Sequence, residues 1–427
     1  MPERVVVVGA GSSGIFTSIE LSLRGFDVTL VDRGIAGSGT SGRFHGLLHS
    51  GARYAVTDRA AAKDCRIESR RIIEMAPHCV EQTSGLFVAL NENDEAYGEE
   101  LRNGLRECSI PFREHDRTET LALEHNLTGH ARCSVEVPDS VLNGRLFLLC
   151  ALITATDLGV RYMPFRELSS AEFSSGREIS SVRFANGLNG GMEEVRTDFV
   201  VNCAGAWVAE AAEKLGAGIR VLPAAGIMSV VPSRLVLRVI NRMRRPSDGD
   251  ILVPFGSRTI AGTTAAVTEN PGQFEISPED VGLLMDEAAS LVPAVRDLGF
   301  TRSYASFRPL VSDGNHGGRD ATRDFRILRD ESKVKNLVNV VGGKMTTCML
   351  IGERAADAVS AAMGGRMKSH MEVSFFNPFD RSAMEMHGFN SENSPTARAL
   401  HQMIGGPDEE DLMAIVLLTL MTERRSR

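Results

Sequence analysis

The chain has 427 residues, of which 43% are hydrophobic and 24% are charged, and its 47 Lys and Arg against 55 Asp and Glu leave a net charge of −8. This composition excludes wholesale disorder, and the length predicts two or three domains at ~150 residues per domain. The acidic balance argues against non-specific nucleic-acid binding, which needs a net basic field.

The N-terminal segment, as far as Asp32, predicts a complete βαβ unit. The β-branched run Val5–Val8 is typical of a strand buried on both faces. A helix is predicted from Ile15 to Arg24, and a second strand covers Val28–Val31. The loop from Gly34 to Gly51, rich in Gly, Ser and His, then precedes a predicted helix over Asp58–Met75.

The turn between the first strand and helix reads GAGSSG at residues 9–14. In such a turn Gly9 permits the tight bend, Gly11 lets backbone approach a pyrophosphate, and Gly14 lets the helix pack closely on the strand. Asp32, at the end of the second strand, can accept hydrogen bonds from ribose hydroxyls. The pattern predicts dinucleotide binding without distinguishing FAD from NAD. Because no second glycine-rich βαβ turn follows, it favours one permanently bound cofactor.

Later segments predict the rest of an interrupted α/β domain. Strands are predicted at Asp198–Asn202 and Leu337–Val341, a hairpin at residues 186–191, and a helix capped by Ser277. After the last strand, a Gly-Gly-Lys turn leads into a helix that ends near Met363. We therefore predict an α/β fold: a Rossmann-like domain with a parallel sheet and a β-meander, and an inserted substrate domain with a mixed or antiparallel sheet.

The predicted domains alternate along the chain. The nucleotide-binding domain covers residues 1–84, 135–220 and 301–365, and the substrate domain covers residues 85–134 and 221–300. Residues 366–427 are predicted to form a linker and a small helical appendage.

The seven cysteines include no pair at CxxC spacing. Their spacing argues against a cysteine zinc site, a redox-active disulfide and an iron–sulfur cluster, so no metal is predicted. The odd number of cysteines and the early first strand favour a cytoplasmic protein without a secretory leader.

The apolar run Leu412–Met421 is about half as long as a membrane span. It suits a terminal helix packed on its own domain or one that docks a partner.

Five segments together carry a family resemblance over about residues 3–365. They are RFHGLLHSGARYAV at 43–56, VVNCAGAW at 200–207, RPSD with DILVP at 245–254, FRPL at 307–310 and GGKMTT at 342–347. In this order they resemble the FAD-dependent glycerol-3-phosphate dehydrogenases of the D-amino-acid-oxidase-like flavoproteins, above all the catalytic A subunit of the anaerobic type. The resemblance implies FAD as cofactor and glycerol 3-phosphate as substrate.

The charged residues in these segments agree with an anionic substrate. A phosphate monoester carries about two negative charges at neutral pH, so its pocket needs cations. Arg53, Arg308 and Lys344 are the candidates, and the last two are also predicted to be catalytic. Tyr54 can donate its hydroxyl to the same phosphate.

Oxidation of the secondary alcohol needs a base for the hydroxyl proton while the hydride goes to the flavin. His49 is the candidate base, because an imidazole can accept a proton near neutral pH, and His45 is the second candidate. The turn before Met345 is predicted to aim a helix N-terminus at the charge that develops on reduced flavin. The residues predicted to bind the cofactor are Gly9, Gly11, Ser13, Gly14, Asp32, Arg33, Ser41, Gly42, Arg43, His45, Gly46, Leu48, Ala204, Gly205, Trp207, Gly343, Lys344, Met345 and Thr346.

Three other functions stay open. The same fold could oxidise a 2-hydroxy acid of the 2-hydroxyglutarate type or an amino acid, with the arginines clamping a carboxylate. A non-catalytic flavin-binding subunit that relays electrons is a second alternative, and a nicotinamide enzyme is a third.

The chain also departs from the resembled family. After the Gly-Gly-Lys turn it has Thr347-Cys348-Met349 where the family commonly has Thr-Tyr-Arg, and Ala225 stands where the family has a lysine. No cysteine follows Cys348, although the anaerobic relatives carry a cysteine-rich C-terminal domain. The resemblance implies partner subunits that pass electrons to membrane quinone, which would place the chain at the inner face of the membrane. A homo-oligomer also stays open.

Overall fold

The computed structural model describes residues 2–174, 176–268, 270–311 and 325–365, together with Val373 and Phe375. The predicted appendage at 366–427, with its apolar run Leu412–Met421, lies outside the described residues apart from those two. Over the described ranges, no helix combines the length and the apolar character that a membrane crossing requires.

The strands, in chain order, are β1 (Arg4–Val8), β2 (Asp27–Val31), β3 (Leu47–Leu48), β4 (Val80–Glu81), β5 (Gly85–Ala89), β6 (Arg113–His115), β7 (Cys133–Val137), β8 (Ser140–Leu142), β9 (Arg161–Met163), β10 (Arg166–Phe173), β11 (Ile179–Asn186), β12 (Met192–Arg196), β13 (Phe199–Asn202), β14 (Val221–Val231), β15 (Val239–Arg242), β16 (Ile251–Phe255), β17 (Arg258–Gly262), β18 (Ala266–Val267), β19 (Arg302–Val311), β20 (Arg326–Leu328) and β21 (Leu337–Val341).

The α-helices are α1 (Ser12–Leu23), α2 (Arg59–Met75), α3 (Glu92–Glu107), α4 (Arg117–Leu123), α5 (Gly144–Asp157), α6 (Val208–Lys214), α7 (Pro278–Leu291), α8 (Ala294–Leu298) and α9 (Cys348–Ala362). Short 3₁₀ turns lie between them, at Thr40–Gly42, Ala52–Tyr54, Pro77–Cys79, Gly205–Trp207, Pro271–Gln273 and Met345–Thr347.

The first sheet has six strands in the order β20-β21-β13-β1-β2-β9, and all but β20 are parallel. Alternation along β1 explains its two-sided burial: Val5 and Val7 pack in the core formed with α1, α5 and α9. Val6 and Val8 pack on the opposite face with β11 and α6. The glycine-rich turn at the carboxyl end of β1 therefore lies at the edge where such sheets bind ligands.

The second sheet has nine strands, β18-β14-β17-β16-β15-β5-β7-β6, with β19 also paired to β14. Its pairs are antiparallel except β15 with β5, so the predicted mixed sheet is confirmed. The predicted β-meander corresponds to the antiparallel sheet β10-β11-β12. The turn of its second hairpin lies between Asn186 and Met192. A small sheet, β3-β8-β4, lies beside the loop before α2. The predicted α/β fold class is confirmed.

The predicted division into domains stays a proposal. Residues 85–134 and 221–300 do supply most strands of the nine-stranded sheet. Two further pieces of chain also pair in that sheet: the end of β7, at Val137, and the whole of β19. The prediction assigned both pieces to the nucleotide-binding domain.

Candidate active site

The glycine-rich turn shows why each of its three glycines is present. Gly9 has a φ of +104°, and a side chain on Gly14 would place its Cβ 1.8 Å from the Gly9 carbonyl oxygen. A Cβ added to Gly11 would meet only the Ser41 hydroxyl, at 3.1 Å. Gly9 and Gly14 are therefore required by the fold itself, whereas Gly11 keeps open a space that faces a cleft.

Asp32, predicted to bind a ribose, holds this turn in place. Its Oδ2 accepts a hydrogen bond from the Ala10 backbone at 2.7 Å, and its Oδ1 accepts one from the Gly34 backbone at 2.8 Å. Burial raises the pKa of this carboxyl, and the two backbone donors oppose that rise. Each carboxylate oxygen can accept a second bond, so the predicted ribose contact is compatible with this role.

A cavity of about 400 Å³ runs along the glycine-rich turn. Ten of the predicted cofactor residues line it: Gly9, Gly11, Ser13, Asp32, Arg33, Ser41, Arg43, Ala204, Gly205 and Trp207. The Arg33 guanidinium stacks 4.1 Å from the centroid of the Trp207 ring, and the two side chains form one wall.

The other predicted cofactor residues lie outside this cavity: Gly14, Gly42, His45, Gly46, Leu48, Gly343, Lys344, Met345 and Thr346. Gly42 packs so tightly that a Cβ would lie 2.2 Å from the Gly37 carbonyl oxygen. Leu48 is 1% exposed, and its backbone pairs with Ser140 in the small sheet. Their cofactor contacts stay a prediction.

His45 is buried in a region of positive potential. Burial, together with the positive charges of Arg53 and Arg308, lowers the pKa of His45 to about 3. Its Nδ1 accepts a hydrogen bond from the Leu47 backbone at 3.0 Å, which places the ring proton on Nε2. His45 is therefore a neutral donor and a poor proton acceptor, which leaves His49 as the candidate base.

Residues in and next to the nine-stranded sheet hold Arg53 in place. Its guanidinium donates to Asn241 Oδ1 at 2.9 Å and to Asp250 Oδ1 at 3.0 Å. Asp250 is 1% exposed, and its other oxygen accepts a hydrogen bond from the Ser247 backbone at 2.8 Å. The prediction did not assign a role to Asn241 or Asp250, because both lie far from Arg53 in sequence.

Arg308 reaches the same region from β19. Its Nη2 donates to the Thr264 carbonyl at 2.9 Å and to the Thr263 hydroxyl at 3.3 Å. A Cβ on Gly226 would lie 2.5 Å from this guanidinium, so the glycine makes room for it. Both threonine acceptors are neutral and help to position the arginine.

Lys344 contacts the ring of Tyr54. Lys344 Nζ lies 4.8 Å from the centroid of the Tyr54 ring. Within the described residues, no carboxylate oxygen comes within 4 Å of this ammonium. Since Tyr54 follows Arg53 directly in sequence, Lys344 lies near the turn that carries Arg53.

His49 lies against Tyr54 and α2. Its ring centroid is 5.1 Å from that of Tyr54, and its Nε2 is 3.8 Å from Sγ of Cys65. Burial raises the pKa of Cys65 to about 12, so its thiol stays protonated. A neutral thiol is a weak hydrogen-bond partner, so it competes little with a stronger donor for the imidazole nitrogen.

Sequence reasoning missed a buried carboxylate close to His49. Asp139 is 1% exposed, and its Oδ1 accepts hydrogen bonds from the Ser50 backbone at 2.7 Å and the Ser50 hydroxyl at 2.8 Å. Within the described residues its Oδ2 has no hydrogen-bond partner. Burial raises the pKa of this carboxyl. No local pattern identifies Asp139, because the contact links the segment after β7 to the loop after β3.

The residues present fit FAD. The open space at Gly11 lies where backbone must approach a pyrophosphate, at the N-terminus of α1, whose free N–H groups favour phosphate. Gly343 has a φ of +101° just before the turn into α9, and a Cβ there would lie 2.3 Å from Ile351 Cδ1, so the fold itself requires this glycine. The N-terminus of α1 and the turn after Gly343 lie at the same edge of the parallel sheet, because they follow the parallel strands β1 and β21.

Comparison with known proteins identifies the family of the chain. The FAD dependent oxidoreductase family matches residues 4–358. The A1 subunit of the anaerobic glycerol-3-phosphate dehydrogenase of Haloferax volcanii is 35% identical over 374 residues, covering 84% of this chain and 64% of that protein. The A subunit of the corresponding Escherichia coli (strain K12) enzyme is 33% identical over 365 residues, covering 84% and 67%. The chain thus spans about two thirds of the length of these relatives.

A solved structure supports the fold. The FAD-bound L-alpha-glycerophosphate oxidase of Mycoplasma pneumoniae superposes with a TM-score of 0.71 at 18% identity, over 86% of this chain and 97% of that one. The predicted FAD cofactor and the family resemblance are both confirmed by these matches. The chain belongs to the FAD-dependent oxidoreductase family, among the relatives of the glycerol-3-phosphate dehydrogenases.

Proposed function

We propose that this chain oxidises sn-glycerol 3-phosphate to dihydroxyacetone phosphate with FAD as electron acceptor, and that electrons pass to quinone through partner subunits. The observation that carries the proposal is the positive potential of Arg53 and Arg308 at His45, which together with burial keeps this imidazole neutral. A positive potential beside a neutral donor suits a doubly charged phosphate better than a singly charged carboxylate.

The phosphate would be bound by Arg308 and Lys344. Each charge-assisted hydrogen bond to phosphate is worth about 1.5–3 kcal/mol. Arg53 contributes less net charge because Asp250 neutralises it. We infer that Arg53 mainly orients the phosphate through the N–H groups that Asn241 and Asp250 leave available, while the Nε2–H of His45 donates to the substrate.

The reaction also needs a proton acceptor. Bound FAD would supply the acceptor for the two electrons that leave the substrate carbon. His49 would take the proton from the C2 hydroxyl, since its Nε2 faces the weak Cys65 thiol, whereas burial and two arginines keep the other candidate imidazole, His45, from accepting a proton. Tyr54 contacts both His49 and Lys344, so it would help to hold the base near the proposed phosphate site.

The proposed partners follow from the relatives. Both are named as components of an anaerobic glycerol-3-phosphate dehydrogenase that has more than one subunit. We propose that this chain likewise works with other subunits, at the inner face of the cytoplasmic membrane.

Steady-state turnover with a redox dye as acceptor tests the substrate. We expect dye reduction and dihydroxyacetone phosphate formation with sn-glycerol 3-phosphate, and none with glycerol, which lacks the phosphate. D-2-hydroxyglutarate and a panel of amino acids are tested as alternative substrates. Turnover of one of these without turnover of sn-glycerol 3-phosphate would replace the proposal by an acid dehydrogenase, and no turnover at all would favour a non-catalytic flavin subunit.

A further inference from the structure

A group of three metal-ligand side chains lies in the nucleotide-binding part of the fold. His78 and Cys79 come from the 3₁₀ turn Pro77–Cys79 after α2, and Cys150 comes from the middle of α5. The nitrogen and two sulfur ligand atoms all lie within 4.8 Å of one another. Within the described residues, no other set of three His, Cys, Asp or Glu side chains has this arrangement. Sequence spacing could not reveal the group, because the two cysteines lie far apart in the chain.

The surroundings of the group are apolar. Cys79 is 3% exposed and Cys150 is fully buried, and both belong to the core that contains Phe147. His78 is half-buried, so one side of the group faces the surface. None of the three residues lines the cavity at the glycine-rich turn, so the group is distinct from the FAD site.

The backbone around the group is held in place. The Cys79 carbonyl accepts a hydrogen bond from the Asn143 backbone at 2.9 Å. Asn143 is in turn the N-cap of α5, and its side chain accepts a hydrogen bond from the Leu146 backbone. The turn that carries two of the ligands is thus fixed to the start of the helix that carries the third.

The separations suit a bridging ion. With bonds of about 2.3 Å to sulfur and about 2.0–2.1 Å to nitrogen, the ligand atoms around a tetrahedral Zn²⁺ lie about 3.5–3.8 Å apart. Atoms already within 4.8 Å reach these values with shifts of about 1 Å. A disulfide would need the sulfurs of Cys79 and Cys150 to approach to about 2 Å.

The charge of the three ligands favours a divalent cation. Two thiolates and a neutral imidazole carry a total charge of −2, so a divalent cation gives a neutral centre that an apolar core tolerates. A monovalent ion would leave a buried negative charge.

We propose that His78, Cys79 and Cys150 bind a zinc ion through three protein ligands and so tie the segment after α2 to α5. Two thiol protons leave to solvent as the two sulfur–zinc bonds form, and a water completes the tetrahedron on the side of His78. The site would stabilise the region between α2, which carries Cys65 next to His49, and α5, which packs on α1 behind the glycine-rich turn.

Metal titration of the reduced, chelator-treated holoprotein tests the site. Cd²⁺ serves as a probe, because bound thiolates give it an ultraviolet charge-transfer absorption, and Zn²⁺ is titrated against a chromophoric chelator. We expect one ion per chain, release of about two protons per ion at low pH where both thiols start protonated, and a rise in Tm on adding Zn²⁺.

Variants identify the ligands. Cys79→Ala and Cys150→Ala should each weaken Zn²⁺ binding at least 100-fold and abolish the rise in Tm, and His78→Ala should weaken binding at least 10-fold. Cys108→Ala is the matched control, because Cys108 is equally buried and lies at the end of α3. Flavin content reports whether each variant folds, and Cys150→Ser replaces Cys150→Ala if the alanine variant does not.

Three results would overturn the proposal. The first is no uptake of either metal by the reduced natural chain. The second is uptake that persists unchanged in the Cys79→Ala and Cys150→Ala variants. The third is isolation of the untreated protein with a Cys79–Cys150 disulfide and without metal uptake after reduction, which would make the pair a redox centre instead.

Discussion

The carboxylate of Asp250 lies 3.0 Å from the guanidinium of Arg53, although the two residues are distant in sequence. Both side chains are largely buried, with 1% and 10% of their surface exposed. This contact joins the loop at the FAD side to the nine-stranded sheet, and it makes the position of Arg53 depend on β16 and the turn before it.

Removal of this partner should affect both stability and substrate binding. Breaking a buried ion pair leaves an uncompensated charge and costs about 3–5 kcal/mol. We expect Asp250→Asn to lower the free energy of unfolding by about 3 kcal/mol, because one amide hydrogen bond remains, and to raise KM for sn-glycerol 3-phosphate. Urea unfolding and steady-state kinetics measure the two effects.

The control is a surface ion pair of similar length. Arg59 and Glu107 lie 2.7 Å apart, and their side chains are 57% and 50% exposed. Glu107→Gln should change stability and KM little, since exposed pairs contribute little. Equal effects of the two substitutions would remove Asp250 from the site.

Arg308→Ala should weaken substrate binding without loss of FAD. Loss of a charge-assisted phosphate contact costs about 1.5–3 kcal/mol, which corresponds to a KM raised about 10- to 150-fold. Arg302→Ala is the matched control, since Arg302 lies in the same strand, is exposed and contacts Tyr304. An unchanged KM for the Arg308 variant would show that this arginine does not contact the substrate.

His49→Ala should slow flavin reduction about 100-fold or more, because general-base catalysis contributes about that much. FAD should remain bound, since the cavity at the glycine-rich turn does not include His49. Stopped-flow absorbance measures the rate, with the exposed His130→Ala as control. A near-normal reduction rate would place the base elsewhere.

Gly11→Ala should give a folded protein with little FAD. The added methyl would meet only the Ser41 hydroxyl within the protein but would occupy the space that faces the pyrophosphate. Gly282→Ala in α7 is the control, because a methyl there meets nothing within 4 Å. The ratio of flavin to protein absorbance checks this, and full occupancy in the Gly11 variant would contradict the proposed position of the pyrophosphate.

The pH dependence of stability should reflect Asp139. A carboxyl whose pKa is raised on folding stabilises the protein below its unfolded pKa, and that contribution is lost as pH rises through the folded value. Asp139→Asn keeps an oxygen for Ser50 and removes the buried charge. We expect the variant to lose less stability than the natural chain between acidic and neutral pH in urea unfolding.

Asp198 supplies the opposite control. A hydrogen bond from Arg4 lowers the pKa of Asp198, so its contribution is present above the unfolded pKa and is lost as pH falls. Asp198→Asn should therefore lower stability at neutral pH. If both variants change stability in the same direction at neutral pH, the burial argument for Asp139 fails.

The elements with strong local patterns were predictable. β21 has the predicted bounds, and Ser277 caps α7 through the Asp280 backbone as predicted. α1 begins at Ser12 rather than Ile15, because the end of the glycine-rich turn already forms the first helical residues. In these cases the side chains that decide the structure are neighbours in sequence.

Contacts between distant segments were not predictable in the same way. β19 joins the nine-stranded sheet by pairing with β14, a strand from much earlier in the chain, and no local pattern shows this partner. Motif residues could be named because they follow strand ends, as Lys344 does. The roles of Asp250, Asn241 and Asp139 could not be predicted, although Asp250 begins the segment DILVP, because these roles depend on buried contacts that only the folded chain creates.

The most direct test of the proposed site is anaerobic mixing of the FAD-loaded protein with sn-glycerol 3-phosphate while the visible flavin band is recorded. We predict full bleaching, one dihydroxyacetone phosphate formed per FAD, and no bleaching by glycerol at the same concentration. An unchanged band with sn-glycerol 3-phosphate, or equal bleaching by glycerol, would contradict a site in which cations hold a phosphorylated alcohol against the flavin.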